Sequence, residues 1–468
     1  MLKTAKNIFI IGIKGVAMAN LAIIFKKMGK SVTGSDVSEE FITDELLKEN
    51  NIKYTIGFSS HDLPKNTDLI IYSAAHGGTN NPQAVEAKKQ GISVISQAQI
   101  LSELIKQFQT TIAVCGCHGK TTTASLLAYS LIKLGVKPSY LVGSSKFNNY
   151  WGGDYQDKKY FVIEADEYGV NPPTDKTPKF HVLKPNYIIC TNIDFDHPDV
   201  YKNLKETKLA FFKFFQSIDK SKQHNLILCG DDLNMYRSID KSIQDQYVIY
   251  GFNKNLDYQI NNVKTDENGS SFELSGGLFH TSLFGEKNIS NVAGVITCLL
   301  QLGFTIEQIK KAIAGFIGAK RRFEQVYYGN NIYLYDDYAH HPKEIEATIE
   351  AAGEKFPKRR LIVIFQPHTY SRTQALLKDF AKSLSLADEV FILPIFPSAR
   401  ENSDNFNVSS KDIVKNGNKN KLVAVDDHVQ LINRLYIEIK KGDVIFTMGA
   451  GDVYKLKNEI IHLITNYK

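Results

Sequence analysis

The stretch "TTIAVCGCHGKTTTASLLAYSLIKLG", residues 110–135, decides the fold. An apolar, β-type run ends at Cys115, glycines at 116 and 119 make a tight turn, and a helical pattern opens on Lys120 and three threonines. Strand, glycine turn and helix in that order form one unit of a parallel α/β sheet. They aim backbone N–H groups and a positive helix end at a single point, as a polyphosphate requires. The familiar loop G-x-x-x-x-G-K-[ST] would place a glycine where Val114 stands, so this loop is shorter. In the phosphate reading Gly116, Cys117, His118, Gly119 and Thr122 wrap the anion, Lys120 neutralises its β and γ oxygens, and the Thr121 hydroxyl holds Mg²⁺. The plainer reading, a lysine and hydroxyls that merely cap a helix, leaves the register of strand, turn and helix without a purpose.

Working outward, residues 1–108 alternate apolar runs ("NIFIIGI", "KSVTGSD", "DLIIYSAA", "ISVIS") with helical patterns, which predicts a doubly wound parallel sheet. Its first turn, "GIKG" at 12–15, departs from G-x-G-x-x-G because Lys14 and Ala17 occupy the second and third glycine places. Gly12 and Gly15 are candidates to approach a diphosphate, and Asp36 lies where a ribose-binding acid would. A plain strand-to-helix turn explains the spacing as well. Two glycine turns in successive units predict two different nucleotide ligands.

After the central loop, "KYFVIEAD" and "NYIICTNID" read as buried strands. They deliver Glu164, Asp166 and Glu167, then Asp194, Asp196 and His197, to a carboxyl edge where doubly wound sheets gather ligands. Carboxylates and an imidazole beside a phosphate loop suit Mg²⁺, although any one of them alone is more often a cap or a solvated group. A third series follows residue 320, with "NIYLYDDYAHHP", "RRLIVIFQPHT", "EVFILPIF", "KLVAV" and "DVIFTMGAGD" as strands. Within it, "DDYAHHPKE" is dense in titratable groups, and Arg372 in "QPHTYSRT" can grip an anion with two parallel hydrogen bonds. The ordinary alternative is a turn and a surface arginine. Polar stretches at 252–270 and 401–420 read as surface excursions.

Composition sets the outer limits. A chain of 468 residues is expected to form two or three domains, here 1–108, 109–320 and 321–468. A charge of +6 spread along the chain suits phosphate-bearing small molecules better than nucleic acid. Five cysteines, an odd number without regular spacing, do not make a disulfide framework or a zinc site. With no signal-peptide pattern and no membrane-length apolar run, the expected setting is the cytoplasm, with no membrane partner.

Nine blocks occur in a fixed order: "GCHGKTTT", "EADE", "NIDFDHPD", "GEKNISN", "KRRFE", "DDYAHHPKEIEATI", "QPHTYSRT", "SARE" and "MGAGD". Together they closely resemble the Mur ligases over nearly the whole chain, and that family's shorter loop G-x-x-G-K-[ST] accounts for the missing glycine. The resemblance implies an N-terminal Rossmann-like domain for a UDP-sugar, a central ATPase domain and a C-terminal Rossmann-like domain that positions an amino acid.

The resemblance is nearest the branch that joins L-alanine to UDP-N-acetylmuramate. ATP phosphorylates the lactyl carboxylate, and the amine attacks the acyl phosphate. It further implies that Lys120 and Thr121 hold the γ-phosphate and Mg²⁺, with Glu164 and His197 as metal ligands. Asn288 and Asn291 belong to the ATP-binding block, and Arg322 to the boundary of the third domain. Tyr338, His340 and Arg372 position the amino acid, with Lys120, His340 and Arg372 as the catalytic set. Gly12, Gly15, Asp36, Ser73 and Ala74 line the UDP-sugar pocket. A monomer or weak homodimer is expected.

Three features depart from the pattern: Lys287 where histidine is common, Thr369 where some members have arginine, and a long "EADEYGVNPPTDKTPKFHVLKPN" that is similar to the branch recycling a whole tripeptide. "QPHTYSRT" favours the alanine branch. Lys208 is the position to consider for the carbamylated lysine of some relatives, although a solvated lysine is the ordinary reading. Outside the family, an NAD-dependent oxidoreductase leaves "GCHGKTTT" and the acids unexplained, and a non-enzymatic phosphate-loop switch has no need of the third series.

Overall fold

Three parallel-type sheets follow one another along the chain in the computed structural model, which describes residues 1–467 except 173, 237–240, 398–400 and 402. The "SARE" block therefore lies outside the described residues in its first three positions. The described chain divides into two compact units: Met1–Val263, Ser271–Thr281 and Ser290–Ile317 in the first, and Lys264–Ser270, Ser282–Ile289 and the chain from Gly318 onward in the second.

The first unit holds two of the sheets. One consists of β1 (Asn7–Ile11), β2 (Ser31–Asp36), β3 (Lys53–Ile56), β4 (Leu69–Tyr72) and β5 (Ser93–Ser96), all parallel, in the order β3-β2-β1-β4-β5. The order reverses between β1 and β4, and their carboxyl ends open the crevice where ligands of such sheets bind. β1 and β4 are buried almost throughout, as strands covered on both faces must be. The helix Val16–Lys27 buries Met18 through Phe25. β3 escapes the pattern reading because, at the sheet edge, "KYTI" has no residue fully buried.

The second sheet contains β6 (Thr110–Cys115), β7 (Ser139–Phe147), β8 (Tyr150–Asp154), β9 (Tyr160–Glu164), β12 (Tyr187–Cys190), β13 (Leu226–Cys229), β14 (Tyr247–Gly251) and β15 (Tyr258–Gln259). Its order is β15-β14-β13-β12-β6-β9-β7-β8, with β6 flanked on either side by β12 and β9. β10 (Gly169–Asn171) and β11 (Asp175–Pro178) pair as an antiparallel ribbon inside the long "EADE" segment. The helix Lys120–Lys133 leaves the phosphate turn with every residue from Thr121 to Leu131 buried.

The second unit carries β19 (Glu324–Gly329), β20 (Ile332–Asp337), β21 (Leu361–Phe365), β22 (Glu389–Ile392), β23 (Leu422–Ala424) and β24 (Val444–Met448), in the order β19-β20-β24-β21-β22-β23. Only β19 runs antiparallel to its neighbour. Alternation along β21 sends Leu361, Val363 and Phe365 into one core and Ile362 and Ile364 into the other, so both sheet faces are covered. The stretches read as surface excursions contain short elements: β16 (Asn261–Asp266), which is exposed along its length, joins β17 (Gly269–Leu274) and β18 (Gly277–Thr281) in a small sheet, and a helix spans Ser410–Asn416. Such polar residues pair through their backbones and give no hydrophobic period to read.

A close approach fixes the register of β1 and β2. At Gly34 a Cβ atom would lie 2.3 Å from the Ile10 carbonyl oxygen and 2.8 Å from Ile13. Gly34→Ala should therefore destabilise the chain by roughly 2–4 kcal/mol, read as a lowered urea midpoint, because backbone and not a flexible side chain must move.

Candidate functional site

The central turn is built by packing that only glycine permits. Gly116 has φ +136° and Gly119 φ +80°. A Cβ on Gly116 would fall 2.0 Å from Thr191 Oγ1, and one on Gly119 would fall 2.6 Å from Asn291 Oδ1. Thr191 and Asn192, just beyond β12, hold the turn from below. The His118 N–H donates to Asn192 Oδ1 at 2.9 Å, and the His118 carbonyl accepts from Thr191 Oγ1 at 2.6 Å and Asn192 Nδ2 at 2.9 Å. Cys117 is latched at its sulfur, which donates to the Asp194 carbonyl and accepts from the Asp194 N–H, both at 3.1 Å. All five cysteines are free and buried.

Lys120 points back over the turn. Its ammonium donates to the Gly116 carbonyl at 2.5 Å, to the Cys117 carbonyl at 3.2 Å and to Glu167 Oε1 at 2.8 Å. Burial works against the charged form, but Glu167, with Cys117 and Asp166, holds the lysine well above its usual range. The second oxygen of Glu167, Oε2, is buried with no hydrogen-bond partner among the described residues. An unpaired carboxylate oxygen in the interior carries a desolvation cost that a cation would remove.

Beside it, His197 Nε2 lies 3.6 Å from Glu167 Oε1 and 3.7 Å from Asp196 Oδ2, at a left-handed φ of +57°. Burial acts to raise the Asp166 carboxyl, yet the charges of Lys179 and Lys120 hold it well below the usual carboxylate range. Lys179 donates to it at 2.7 Å.

At the end of β9, Glu164 accepts from Thr121 Oγ1 at 3.1 Å and from the Gly143 N–H at 2.7 Å. The predicted Thr121, Glu164 and Lys120 thus share one end of the sheet, and Asn291 reaches the turn from the helix Glu286–Gln301. Asn288 sits one turn earlier on that helix and donates to the Phe284 carbonyl at 2.8 Å. Thr122 is buried on the first turn of its helix. Glu167, named above only among the acids, is the residue that engages Lys120. The supporting residue with least sequence signal is Asn192, whose work is done on backbone groups. Lys208 lies on the helix Leu204–Phe215, half-buried.

At the first sheet the switch point brings together Gly12 and Ser73. A Cβ on Gly12, φ +78°, would lie 2.8 Å from Ser73 Oγ and 3.4 Å from the His76 ring. Gly15 caps the helix that starts at Val16, and Ala74 is half-buried next to Ser73. Asp36 faces the turn: Oδ2 accepts from the Lys14 N–H at 2.6 Å, Oδ1 accepts from the Val37 N–H at 2.8 Å, and His76 Nε2 is 3.5 Å away. These hydrogen bonds fasten the turn.

In the second unit a separate cluster forms at the ends of β20 and β21. His340 Nδ1 lies 3.2 Å from Glu344 Oε2 and 3.0 Å from the Tyr338 carbonyl. Arg322 stacks over Tyr338 with its guanidinium carbon 5.0 Å from the ring centre. Arg372 is buried on the helix Tyr370–Ala375, its Nη1 3.4 Å from the His368 carbonyl. Thr369, just before it, holds a φ of +71°, a strained value for a β-branched residue. His341 is buried as the N-cap of Pro342–Lys355 and accepts from the Lys343 N–H. Arg321 is the more deeply committed arginine, bound to Asp336 at 3.0 Å and the Gly449 carbonyl at 2.6 Å.

Comparison with known proteins matches these sheets in order. The family model "Mur ligase family, catalytic domain" covers residues 7–109, "Mur ligase middle domain" 114–299 and "Mur ligase, glutamate ligase domain" 321–451. The chain is 38% identical over 456 residues to UDP-N-acetylmuramate–L-alanine ligase of Pediococcus pentosaceus, spanning 96% of this chain and 97% of that one. Against the enzyme of that name from Desulfitobacterium hafniense it is 34% identical over 467 residues, 97% and 99% of the two chains.

Among solved structures, the UDP-N-acetylmuramate-alanine ligase MurC of Thermotoga maritima matches with a TM-score of 0.77 at 25% identity over 97% and 98% of the chains. The murein peptide ligase of Psychrobacter arcticus shares the fold with a TM-score of 0.74 at 24% identity over 99% of each. Fold and relatives together define an ATP-dependent ligase. The chain belongs to the Mur ligase family.

Two outcomes test this geometry. Glu167→Gln, which leaves the Lys120 ammonium buried without its countercharge, should lower turnover by about two orders of magnitude in an ADP-release assay. Burial pushes Asp337 up to about 6 against the opposing Arg322 and the Ala339 and Phe323 N–H groups. The folded chain therefore holds this proton more tightly than the unfolded one, and the associated stability, full below about pH 4, is lost as pH rises through about 6. Asp337→Asn should gain about 3 kcal/mol relative to the parent between about pH 4 and pH 7, measured by urea denaturation.

Proposed function

We propose that this Mur ligase couples ATP cleavage to amide formation between L-alanine and the lactyl carboxylate of UDP-N-acetylmuramate, a step of peptidoglycan precursor synthesis in the cytoplasm. The supporting observation from the structure is the buried Lys120–Glu167 pair over a glycine turn, with Thr121 and Glu164 at its side. The substrates follow from full-length relatives that carry that reaction in their names.

A carboxylate and a polyphosphate repel each other, so phosphoryl transfer between them requires positive charge at the point of contact. Lys120 supplies it. When the γ-phosphate arrives, the ammonium exchanges the Gly116 and Cys117 carbonyls for phosphate oxygens while Glu167 keeps it charged and aimed. The helix start, with the N–H groups from Gly119 to Thr122, receives the remaining phosphate oxygens beside Asn291, while the Cys117 and His118 N–H groups stay on Asn192. Mg²⁺ would be held by the Thr121 hydroxyl and Glu164, which share a hydrogen bond, and by His197 beside Glu167. Bound there, the ion would neutralise donor and acceptor oxygens together.

The UDP-sugar binds at the Gly12–Gly15 turn and the Ser73–Ala74 edge, with its lactyl carboxylate directed to the γ-phosphate. Transfer gives an acyl phosphate, ADP leaves, and the amine of L-alanine displaces phosphate. Arg372 pairs with the alanine carboxylate and Tyr338 orients it. His340, backed by Glu344, accepts the proton that the ammonium of L-alanine must lose before attack.

Incubation with ATP, Mg²⁺ and UDP-N-acetylmuramate should release ADP only when L-alanine is added. Release dependent on neither L-alanine nor the tripeptide L-alanyl-γ-D-glutamyl-meso-diaminopimelate would overturn the ligase assignment, and release with the tripeptide alone would reassign the substrate. Lys120→Ala should reduce turnover at least about a thousandfold while UDP-sugar affinity stays within about twofold.

A further inference from the structure

Lys14 stands where a dinucleotide turn has its second glycine, and its side chain is almost fully buried. A glycine there serves close approach of backbone to diphosphate, and a lysine pointed at the ligand would serve as a cation. It does neither. The ammonium turns away and donates to the carbonyls of Val37, at 3.2 Å, and of Glu39. Asp44 Oδ1 is 3.4 Å away, and the rings of Phe41 and Tyr54 lie 5.0 and 5.6 Å from the charge.

The backbone of Lys14 is held by the same segment. Its N–H donates to Asp36 and its carbonyl accepts from the Thr43 hydroxyl. Every polar group of one residue is thus spent on residues 36–44, the connection that leaves the carboxyl end of β2 beside the switch point.

Burying an ammonium is costly unless its partners are fixed. A turn that needed only the fold could have kept glycine and avoided that cost. We infer that Lys14 is a positioning residue for the sugar nucleotide: it staples the 37–43 segment to the Gly12–Gly15 turn and so preforms the wall against which the nucleoside of the UDP-sugar binds. The staple replaces conformational freedom that glycine would leave in the turn, and binding then need not order the segment. The inference rests on the UDP-sugar assignment above.

Titration of the full-length chain with UDP by calorimetry, alongside steady-state kinetics, tests it. Lys14→Met keeps the aliphatic bulk and removes the charge, and Asp44→Asn weakens the anchor while leaving Lys14 in place. Both should weaken UDP binding and raise KM for UDP-N-acetylmuramate, Lys14→Met by about tenfold and Asp44→Asn by less, with kcat and KM for ATP within about twofold. Lys14→Arg should recover part of the loss.

UDP affinity within twofold of the parent in both variants, with a lower melting temperature, would overturn the inference and leave Lys14 a purely structural lysine. Lys14→Met failing to fold while folded Asp44→Asn binds UDP normally would overturn it equally. Absence of UDP binding by the parent chain would overturn the UDP-sugar assignment itself, and the two failures are distinguishable in the same titration.

Discussion

The contact between Lys120 and Glu167 is the constraint on which the central site depends. At 2.8 Å, with an effective dielectric near 20, the attraction is roughly 6 kcal/mol before desolvation is deducted. Both side chains are largely shielded from water, so removal of either partner leaves an uncompensated charge inside the protein. The pair also fixes direction. It folds the lysine back over Gly116 and Cys117, and the turn must be narrow enough for two carbonyls to meet the ammonium. That width requires glycine at 116 and 119, because Thr191 and Asn291 occupy the space any Cβ would need. Thr191, Asn192 and Asp194 then hold the His118 carbonyl and the Cys117 sulfur from the neighbouring strand end. One ion pair thus ties the loop, the acids after β9 and the segment after β12 into a single arrangement.

Two lysines in two glycine turns of this chain are used in opposite ways. Lys120 keeps its charge at the mouth of its turn, on the Gly116 and Cys117 carbonyls and Glu167. Lys14 spends its charge on the carbonyls of Val37 and Glu39 behind its own turn. The difference follows from what lies beside each strand end. The central turn faces carboxylates that must be neutralised, whereas the first faces a connection that must be held. The cluster of Tyr338, His340, Glu344 and Arg372 in the second unit adds a third arrangement, an imidazole backed by a carboxylate and a buried arginine.

Many parallel strands and the glycine turn were legible in the sequence because hydrophobic runs and glycine spacing record them directly: 110–135 reads as strand, turn and helix, and folds so, whereas the buried strands β7, β13 and β14 were not among the runs read. The exposed strand Asn261–Asp266 and the edge strands Lys53–Ile56 and Glu324–Gly329 left no such record, since their pairing is carried by backbone groups. At the site, Lys120, Thr121 and Glu164 were legible from residue type and position. The work of Glu167 and Asn192 was not, because it depends on which neighbouring strand end delivers them. The hydrogen bonds between Asp36 and the turn were equally unrecorded, since its place after β2 suggests only a ribose acceptor.

If the carboxylate is activated by phosphorylation, one of its oxygens must leave with the phosphate. UDP-N-acetylmuramate labelled with ¹⁸O in the lactyl carboxylate, turned over with ATP and L-alanine, should deliver one ¹⁸O into inorganic phosphate for each amide formed, detected by the isotope shift of its ³¹P resonance. Amide formation with unlabelled phosphate would contradict an acyl phosphate and the site geometry argued to produce it.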